Sequence, residues 1–561
     1  MIAPSGCPEA APGNCIPRGG AVSDGIAQRK DGLPWCPRFL IFNGAAMKRQ
    51  RFVSQRSLSR MFQEAAEAWK RQEYQHTIVT LERATRLDPA NARILMDLGR
   101  AYGLRYDYGA AERYLEKAVR VAIKRVEALA EAGRRCQEFG SYDMAKRYFE
   151  RAAEENGASA GVFVTLAELD ERHARLEEAT RWVERALASQ AEHPAALLTR
   201  ARLSRLGGKL DEAESMLRSL LEKSFNDAPT RVRAWYELGG VLDRQGRYDD
   251  AMGAFLEAKA LLRPASAPCH ATLQGIQARV REMEQTISSS VLERWFHSGE
   301  ALQPARRLAV LCGHPRSGTT LLEQALDSHP DIVTAEETHI LHDEAYLPLS
   351  RGFPQDASVL DVLDSAPASA LRQSRENYFR FSELFIGKTM GDKLLIDKNP
   401  ALNVLIPAVV RIFPEARFLI AIRDPRDVCL SCFMQPLSLN PVSSAYLTLG
   451  GTVTQYASVM GFWRTILPRL RNAWIEVRYE DVVEDLEASS RRTLAFLGVG
   501  WNEEVLRFHE HARSKPLRSP SYAEVTKPVF KGAVGRWRNY QKYLEPCLEQ
   551  LGPFITAYSY E

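Results

Sequence analysis

Between residues 58 and 262, small and apolar residues return at an interval of 34 positions. Ala111, Ala145, Ala179 and Ala213 form one column, and Leu81, Leu115, Phe149, Val183 and Leu217 form a second. A third runs Ala84, Ala118, Ala152, Ala186 and then Leu220, while Gly99 and Gly133 add a fourth. A further copy, Leu238, Gly239, Ala251, Phe255 and Ala258, follows a four-residue slip around Ser224 to Ala228. A small residue on each helix of a pair lets two antiparallel helices approach closely, and a regular interval stacks each pair on the next. The pattern predicts about six helix pairs in a solenoid over 58–262.

Pro264 and Pro268 break that series, and residues 263–303 read as a helical linker. From Leu308 the period changes to short apolar runs alternating with helix-length amphipathic segments. The runs are 308–312, 332–335, 394–397, 418–422 and 474–477, and helical patterns over 320–326, 402–413, 428–434 and 483–497 follow four of them. This alternation predicts a parallel sheet with helices on both faces, in a second unit over 304–561. The prolines and the polar sequence after them predict that residues 301–561 are separable from the repeats and keep their ligand site without them. Ligands of such sheets bind beyond the carboxyl ends of the strands, so charged residues that follow strands are the ones to read for chemistry.

Composition narrows the function classes. Hydrophobic content of 45% and charged content of 26% fit a soluble globular chain. With 74 basic against 70 acidic residues there is no field for a polyanion, so neither nucleic acid nor a membrane surface is an expected partner. No run approaches the roughly 18 apolar residues of a membrane helix. The nine cysteines form neither a disulfide framework nor a zinc spacing, and Cys429 and Cys432, one helical turn apart, read as packing. Residues 1–46, rich in Gly, Pro, Ala and Cys, lack periodicity and read as a disordered extension.

Two segments at strand ends carry candidate chemistry. Gly313-His314-Pro315-Arg316-Ser317-Gly318-Thr319-Thr320 has the G-x4-G spacing of a phosphate loop, with Thr319 where the nucleoside-triphosphate version carries lysine. Backbone N–H groups freed by glycine, and the positive end of a helix, suit an anion. The missing lysine argues against ATP or GTP hydrolysis, and Arg316 supplies a planar fork of donors instead. Arg423-Asp424-Pro425-Arg426-Asp427, with Ser431 beyond, is either a second anion pocket or a salt-bridged loop.

The 34-residue columns resemble the tetratricopeptide-repeat family. PRSGTT after one strand and RDPRD-x3-S after a later one resemble the 5′-phosphosulfate and 3′-phosphate motifs of sulfotransferases. That resemblance covers about residues 305–540 and is closest to tyrosylprotein sulfotransferases, through PRSGTTLLEQALDSHPDIVTAEET and KPVFKGAVGRW. It implies an α-helical tetratricopeptide-repeat solenoid followed by an α/β P-loop-like sulfotransferase domain with a parallel sheet. The implied sulfuryl donor is 3′-phosphoadenosine 5′-phosphosulfate (PAPS), used without a metal. By resemblance, Arg316, Ser317, Gly318, Thr319, Thr320, Arg423, Ser431, Tyr479 and Arg536 bind this cofactor, Arg536 standing where the family has lysine. Glu337 matches the general base, Lys398 the lysine at the departing oxygen, and Ser521 the serine that donates to the bridging group. A phenol with a pKa of about 10 needs such a base at neutral pH. Glu336 reads as a solvated acid, and Asp397 could make Lys398 a structural ion pair.

The expected acceptor is a hydroxyl of a protein or peptide, tyrosine among them, presented with help from repeats that bind a protein or peptide. Alternatives are a glycan or other carbohydrate, a lipid or a small phenol, or a repeat scaffold without activity. Gln435 stands where tyrosylprotein enzymes have arginine, and His339 and Asp343 where they place arginines that read acidic residues. Thr334 and Asp397 stand at a cysteine pair that is bridged in secreted-pathway enzymes, which implies a cytoplasmic, bacterial protein.

Overall fold

The computed structural model describes residues 48–223, 227–354, 356–400, 402–436, 438–513, 525–529 and 531–560. The extension over 1–46 and part of the slip, 224–226, lie outside the described residues.

The first unit is six antiparallel helix pairs. They are α1 (Lys48–Lys70) with α2 (Tyr74–Leu87), α3 (Ala92–Leu104) with α4 (Tyr108–Val121), and α5 (Arg125–Glu138) with α6 (Tyr142–Glu154). Then come α7 (Ala160–Arg172) with α8 (Leu176–Ser189), α9 (Pro194–Leu206) with α10 (Leu210–Glu222), and α11 (Ala228–Arg244) with α12 (Tyr248–Leu262). The columns are buried throughout, from Leu81 and Ala84 to Phe255 and Ala258. The glycine column explains how the pairs close. A Cβ on Gly99 would lie 2.8 Å from Leu115, on Gly133 2.6 Å from Phe149, and on Gly239 2.6 Å from Phe255. Each glycine makes room for the large residue of the facing helix.

A further column was hidden from the sequence. Gln72, Tyr106, Gly140, Ala174, Gly208 and Gly246 each turn the chain between the helices of a pair with positive φ. Half of them are not glycine, so composition did not mark the turn.

The second unit holds β1 (Leu308–Gly313), β2 (Ile332–Glu336), β3 (Leu394–Lys398), β4 (Arg417–Ile422) and β5 (Trp474–Arg478). They pair in parallel in the order β2-β3-β1-β4-β5. The helices that matter are α13 (Ala267–Thr286), α14 (Ser289–Ser298), α15 (Thr319–Asp327), α16 (Ala368–Ile386), α17 (Ile406–Ile412), α18 (Pro425–Met434), α19 (Leu449–Ile466) and α20 (Leu486–Leu497). Successive strand residues face opposite sides. Val310, Phe418 and Ile420 pack with Tyr378 of α16, Val409 of α17 and Trp463 of α19. Leu311, Leu419 and Ala421 pack with Leu322 of α15 and Leu494 of α20. Cover on both faces is why the strands read as unbroken apolar runs.

The two units pack against each other. Leu273, Val280 and Met283 of α13 and Trp295 of α14 share a core with the sheet, so the segment read as a linker is built into the second unit. Leu238, Leu242 and Phe255 of the last repeat form one core with Leu430 and Phe433 of α18 and with Trp537, Tyr540 and Leu544. At the other end of the array, Arg105 ion-pairs with Glu344 and lies over Phe381, 4.4 Å from its ring centre. Tyr106 meets Phe385 edge-on, and its hydroxyl accepts from the His339 N–H at 3.1 Å. Prolines ended the solenoid but not its packing, and the array arches over the sheet domain with both ends attached. No described helix is long and apolar enough to cross a membrane.

Gly133→Ala should destabilise the chain by about 1–3 kcal/mol, since the added carbon meets Phe149 inside a packed core. Gly253→Ala, on α12 with open space around it, should instead stabilise by up to about 1 kcal/mol. Denaturant unfolding of both full-length variants checks the pair.

Candidate functional site

β1 and β4 are neighbours, but the chain leaves them toward opposite edges of the sheet, to β2 and β5. Such a switch point opens a crevice at the strand ends. The two arginine loops meet there, where Arg423 Nη1 donates to the Arg316 carbonyl at 3.2 Å. Gly313, at φ 137°, leaves no room for a Cβ, which would lie 2.4 Å from the Ala421 carbonyl oxygen. Gly318, at φ 88°, has the Tyr479 ring 2.4 Å from where a Cβ would sit. Arg316 has φ 72°, and its Nε donates to Ser431 Oγ at 3.0 Å. Arg423 lies 4.7 Å over the Tyr479 ring, and its buried Nε has no hydrogen-bond partner among the described residues. An orphaned guanidinium donor, a glycine cradle and the start of α15 together fit a phosphate-bearing ligand. His314, fully buried, is pulled down to about 4 by that burial and stays neutral at physiological pH.

A second anchored segment completes this side. Asp427 of α18 accepts from the N–H groups of Gly535, at 2.7 Å, and Trp537, at 2.8 Å. Arg423 Nη2 donates to the Ala533 carbonyl. Arg536 Nη2 lies 2.7 Å from Asp243 of α11.

Across the crevice, the parallel register puts Glu336 beside Lys398. The Lys398 ammonium lies 2.8 Å from Glu337, 3.3 Å from Glu336 and 3.4 Å from Glu323 of α15. Burial alone would lower the pKa of this lysine, but the charges of Glu323, Glu337 and Glu336 outweigh it and hold the lysine raised and protonated. Adjacent strand residues should face opposite ways, yet both glutamates reach Lys398, because Glu337 has φ 49°. A non-glycine residue held in this conformation stores strain of a kind found at functional sites. The Glu337 N–H also donates to the Lys398 carbonyl at 2.8 Å.

Two expectations are corrected. Glu336 is not a solvated acid but a buried one. Asp397 does not pair with Lys398: it faces the other side of the sheet and accepts from the Tyr378 hydroxyl at 2.8 Å. Among the expected cofactor residues, Arg316, Gly318, Thr319, Thr320, Arg423, Ser431, Tyr479 and Arg536 line one cleft together with Glu337. Ser317 is buried within the loop, its N–H bonded to the His314 carbonyl. Lys398 has no exposed side-chain surface, because the carboxylates enclose it. Ser521 lies outside the described residues. Glu323 went unread in the sequence, although an acid between Leu322 and Ala325 on an apolar face was the available signal. It accepts from Thr334 Oγ1 at 3.0 Å. Asp243 and Tyr106 carried no signal, since their partners lie far away in the chain.

Residues 309–503 match the family model described as the sulfotransferase family, and 198–266 match a tetratricopeptide-repeat model. An uncharacterized protein of Aquifex aeolicus is 23% identical over 60% of this chain and 43% of its own length. Protein-tyrosine sulfotransferase 1 of Danio rerio is 27% identical over 46% of this chain and 75% of its own length. Protein-tyrosine sulfotransferase of Drosophila melanogaster is 27% identical over 41% and 46%. The chain thus spans less than half the length of two of these three relatives. The sulfotransferase domain from the Synechococcus PCC 7002 olefin synthase is 20% identical, with 42% of this chain and 89% of that one covered and a TM-score of 0.30.

Burial raises Asp397 to about 7. A carboxyl whose folded pKa lies above its unfolded value near 4 contributes stability fully at low pH and loses it as pH rises toward and through 7. Asp397→Asn keeps an acceptor for Tyr378, so the variant should gain on the wild type between pH 4 and 8, by up to about 1.4 kcal/mol per pH unit. Denaturant midpoints across that range check the sign.

Proposed function

We propose that this chain, a tetratricopeptide-repeat array joined to a sulfotransferase-family domain, transfers a sulfuryl group from PAPS to a hydroxyl of a protein or peptide, tyrosine among them. The observation that carries the donor reading is the meeting of two arginine loops at neighbouring strand ends, with the Arg423 Nε left unpartnered between them. A donor with phosphate groups at two places needs two such loops. When bound, it supplies the sulfuryl group and departs as adenosine 3′,5′-bisphosphate.

The residues present fit the other tasks. Glu337 lines the cleft, and Lys398 occupies its Oε1. Glu337 Oε2 is the atom assigned to take the acceptor proton. The role that resemblance gives Lys398, at the departing oxygen, requires the ammonium to leave its carboxylates for the cleft. Arg316 and the N–H groups at the start of α15 hold negative charge in place.

The cleft supports a polymeric acceptor. Its volume is 3330 Å³, and its wall continues from the phosphate loop to Glu168, Arg205 and Arg233 of the repeats. Pockets for small molecules occupy about 300–1,000 Å³. The excess favours a protein or peptide segment over a small phenol, with the repeats holding part of it. The proposed setting is cytoplasmic and bacterial, in which buried thiols such as Cys312, Cys429 and Cys432 stay reduced.

Adenosine 3′,5′-bisphosphate should raise the melting temperature in the presence of chelator, and Arg423→Ala should remove most of that rise. Equal stabilisation by ATP with magnesium rejects the donor assignment. With PAPS and a tyrosine-containing acceptor, Glu337→Gln should lower the rate by about 10²–10⁴-fold while changing bisphosphate affinity little. Activity that survives this substitution removes Glu337 from the mechanism.

A further inference from the structure

We propose that Asp243, in the last repeat, is a positioning residue of the donor site, holding the Arg536 guanidinium for a phosphate of the donor. The inference rests on the donor reading above and extends the site into the repeat array.

Asp243 joins two residues of the segment that follows KGAVG. Its Oδ2 lies 2.7 Å from Arg536 Nη2, and its Oδ1 accepts from the Tyr540 hydroxyl at 2.6 Å. Neither partner is a loose surface group. Tyr540 is fully buried in the core shared by the two units and packs against Tyr248 of α12. Arg536 lines the cleft that also holds Arg316, Arg423 and Ser431. Gly535, at φ 70°, turns the chain immediately before it.

The same segment is fastened from the other side. Asp427 takes the N–H groups on either side of Arg536, those of Gly535 and Trp537, and Arg423 holds the Ala533 carbonyl. The backbone of Arg536 is therefore set by the loop after β4, and its side chain by the last repeat. A guanidinium carries five donors in a rigid, planar fork, and the carboxylate of Asp243 fixes the plane in which that fork meets a phosphate. A long side chain already immobilised loses less freedom when a ligand arrives, which is worth about 0.5–1.5 kcal/mol for each such side chain.

A neighbouring contact on the same seam makes the contrast. Asp249 meets Lys542 at 2.8 Å and the Tyr543 hydroxyl at 3.0 Å, but both members of that ion pair are more than half exposed. Exposed pairs of this kind contribute little, and neither Lys542 nor Tyr543 lines the cleft wall described above.

The test uses the full chain and two nucleotides, adenosine 3′,5′-bisphosphate and adenosine 5′-phosphate, with dissociation constants from calorimetry. Because Arg536 is tied to the segment of Arg423 and α18, whose RDPRD-x3-S sequence resembles a 3′-phosphate motif, Asp243→Asn should weaken the bisphosphate by about three- to tenfold. Its effect on the monophosphate should be under twofold. In an Arg536→Gln background, Asp243→Asn should cause no further loss, whereas a merely structural role would add its effect in both backgrounds. Asp249→Asn should leave both constants unchanged. If Asp243→Asn does not fold, Asp243→Glu, which moves the charge by one methylene, takes its place in the same cycle. Unchanged bisphosphate affinity, equal loss for both nucleotides, or additive losses with Arg536→Gln overturns the proposal. Absence of bisphosphate binding by the wild type overturns the donor reading itself, and this inference with it.

Discussion

One buried cation organises the sheet domain of this protein. The Lys398 ammonium, with no exposed surface, is surrounded by Glu323, Glu336 and Glu337. Taking a charge out of water is costly unless it is paired and hydrogen-bonded, and removing one partner of such a pair is strongly destabilising. The three carboxylates come from α15, from β2 and from the turn beyond β2, so the lysine draws the helix after the phosphate loop and two strand ends to a single point. It also holds Glu337 in a backbone conformation that a glutamate would not choose. The strain and the charge sit at the same residue.

On the other side of the crevice the organising groups are carboxylates. Asp427 and Asp243 both lie on the cleft wall, but their oxygens are taken up by protein groups. They fix the segment 533–537 and the guanidinium of Arg536. Arg423 completes the arrangement by bonding to the Arg316 carbonyl and to the Ala533 carbonyl, leaving one buried nitrogen unpartnered. Positive groups aimed into one volume repel one another, and each is held by a partner: Arg316 by the Ser431 hydroxyl, Arg423 by two backbone carbonyls and Arg536 by the Asp243 carboxylate.

The repeat array belongs to this arrangement. It is attached near Glu337 through Arg105 and Tyr106, and near Arg536 through Asp243 and the shared core of Leu238, Phe433 and Tyr540. Between these attachments lies a cleft larger than a nucleotide requires. Held at its second and its last helix pair, the array brings side chains such as Asp243 to the crevice.

The sequence alone determined what is local. The 34-residue columns, the five apolar runs and the G-x4-G and RDPRD segments depend on neighbours a few positions apart, and each was legible as helix pair, strand or strand-end loop. Helix and strand periods are properties of a short stretch of chain. Tertiary structure decided what lies between distant stretches. Glu336 was read as exposed and is buried against Lys398, because strand pairing brings residues 62 positions apart into register. Asp397 was read beside Lys398 and turns away from it, because neighbours on a strand face opposite sides. Asp243 and Tyr540 are 297 residues apart, and nothing in either neighbourhood announces the other. Composition and period report what a segment will become, whereas the pairing of charges across a crevice depends on the order of the strands and on the arch of the array above them.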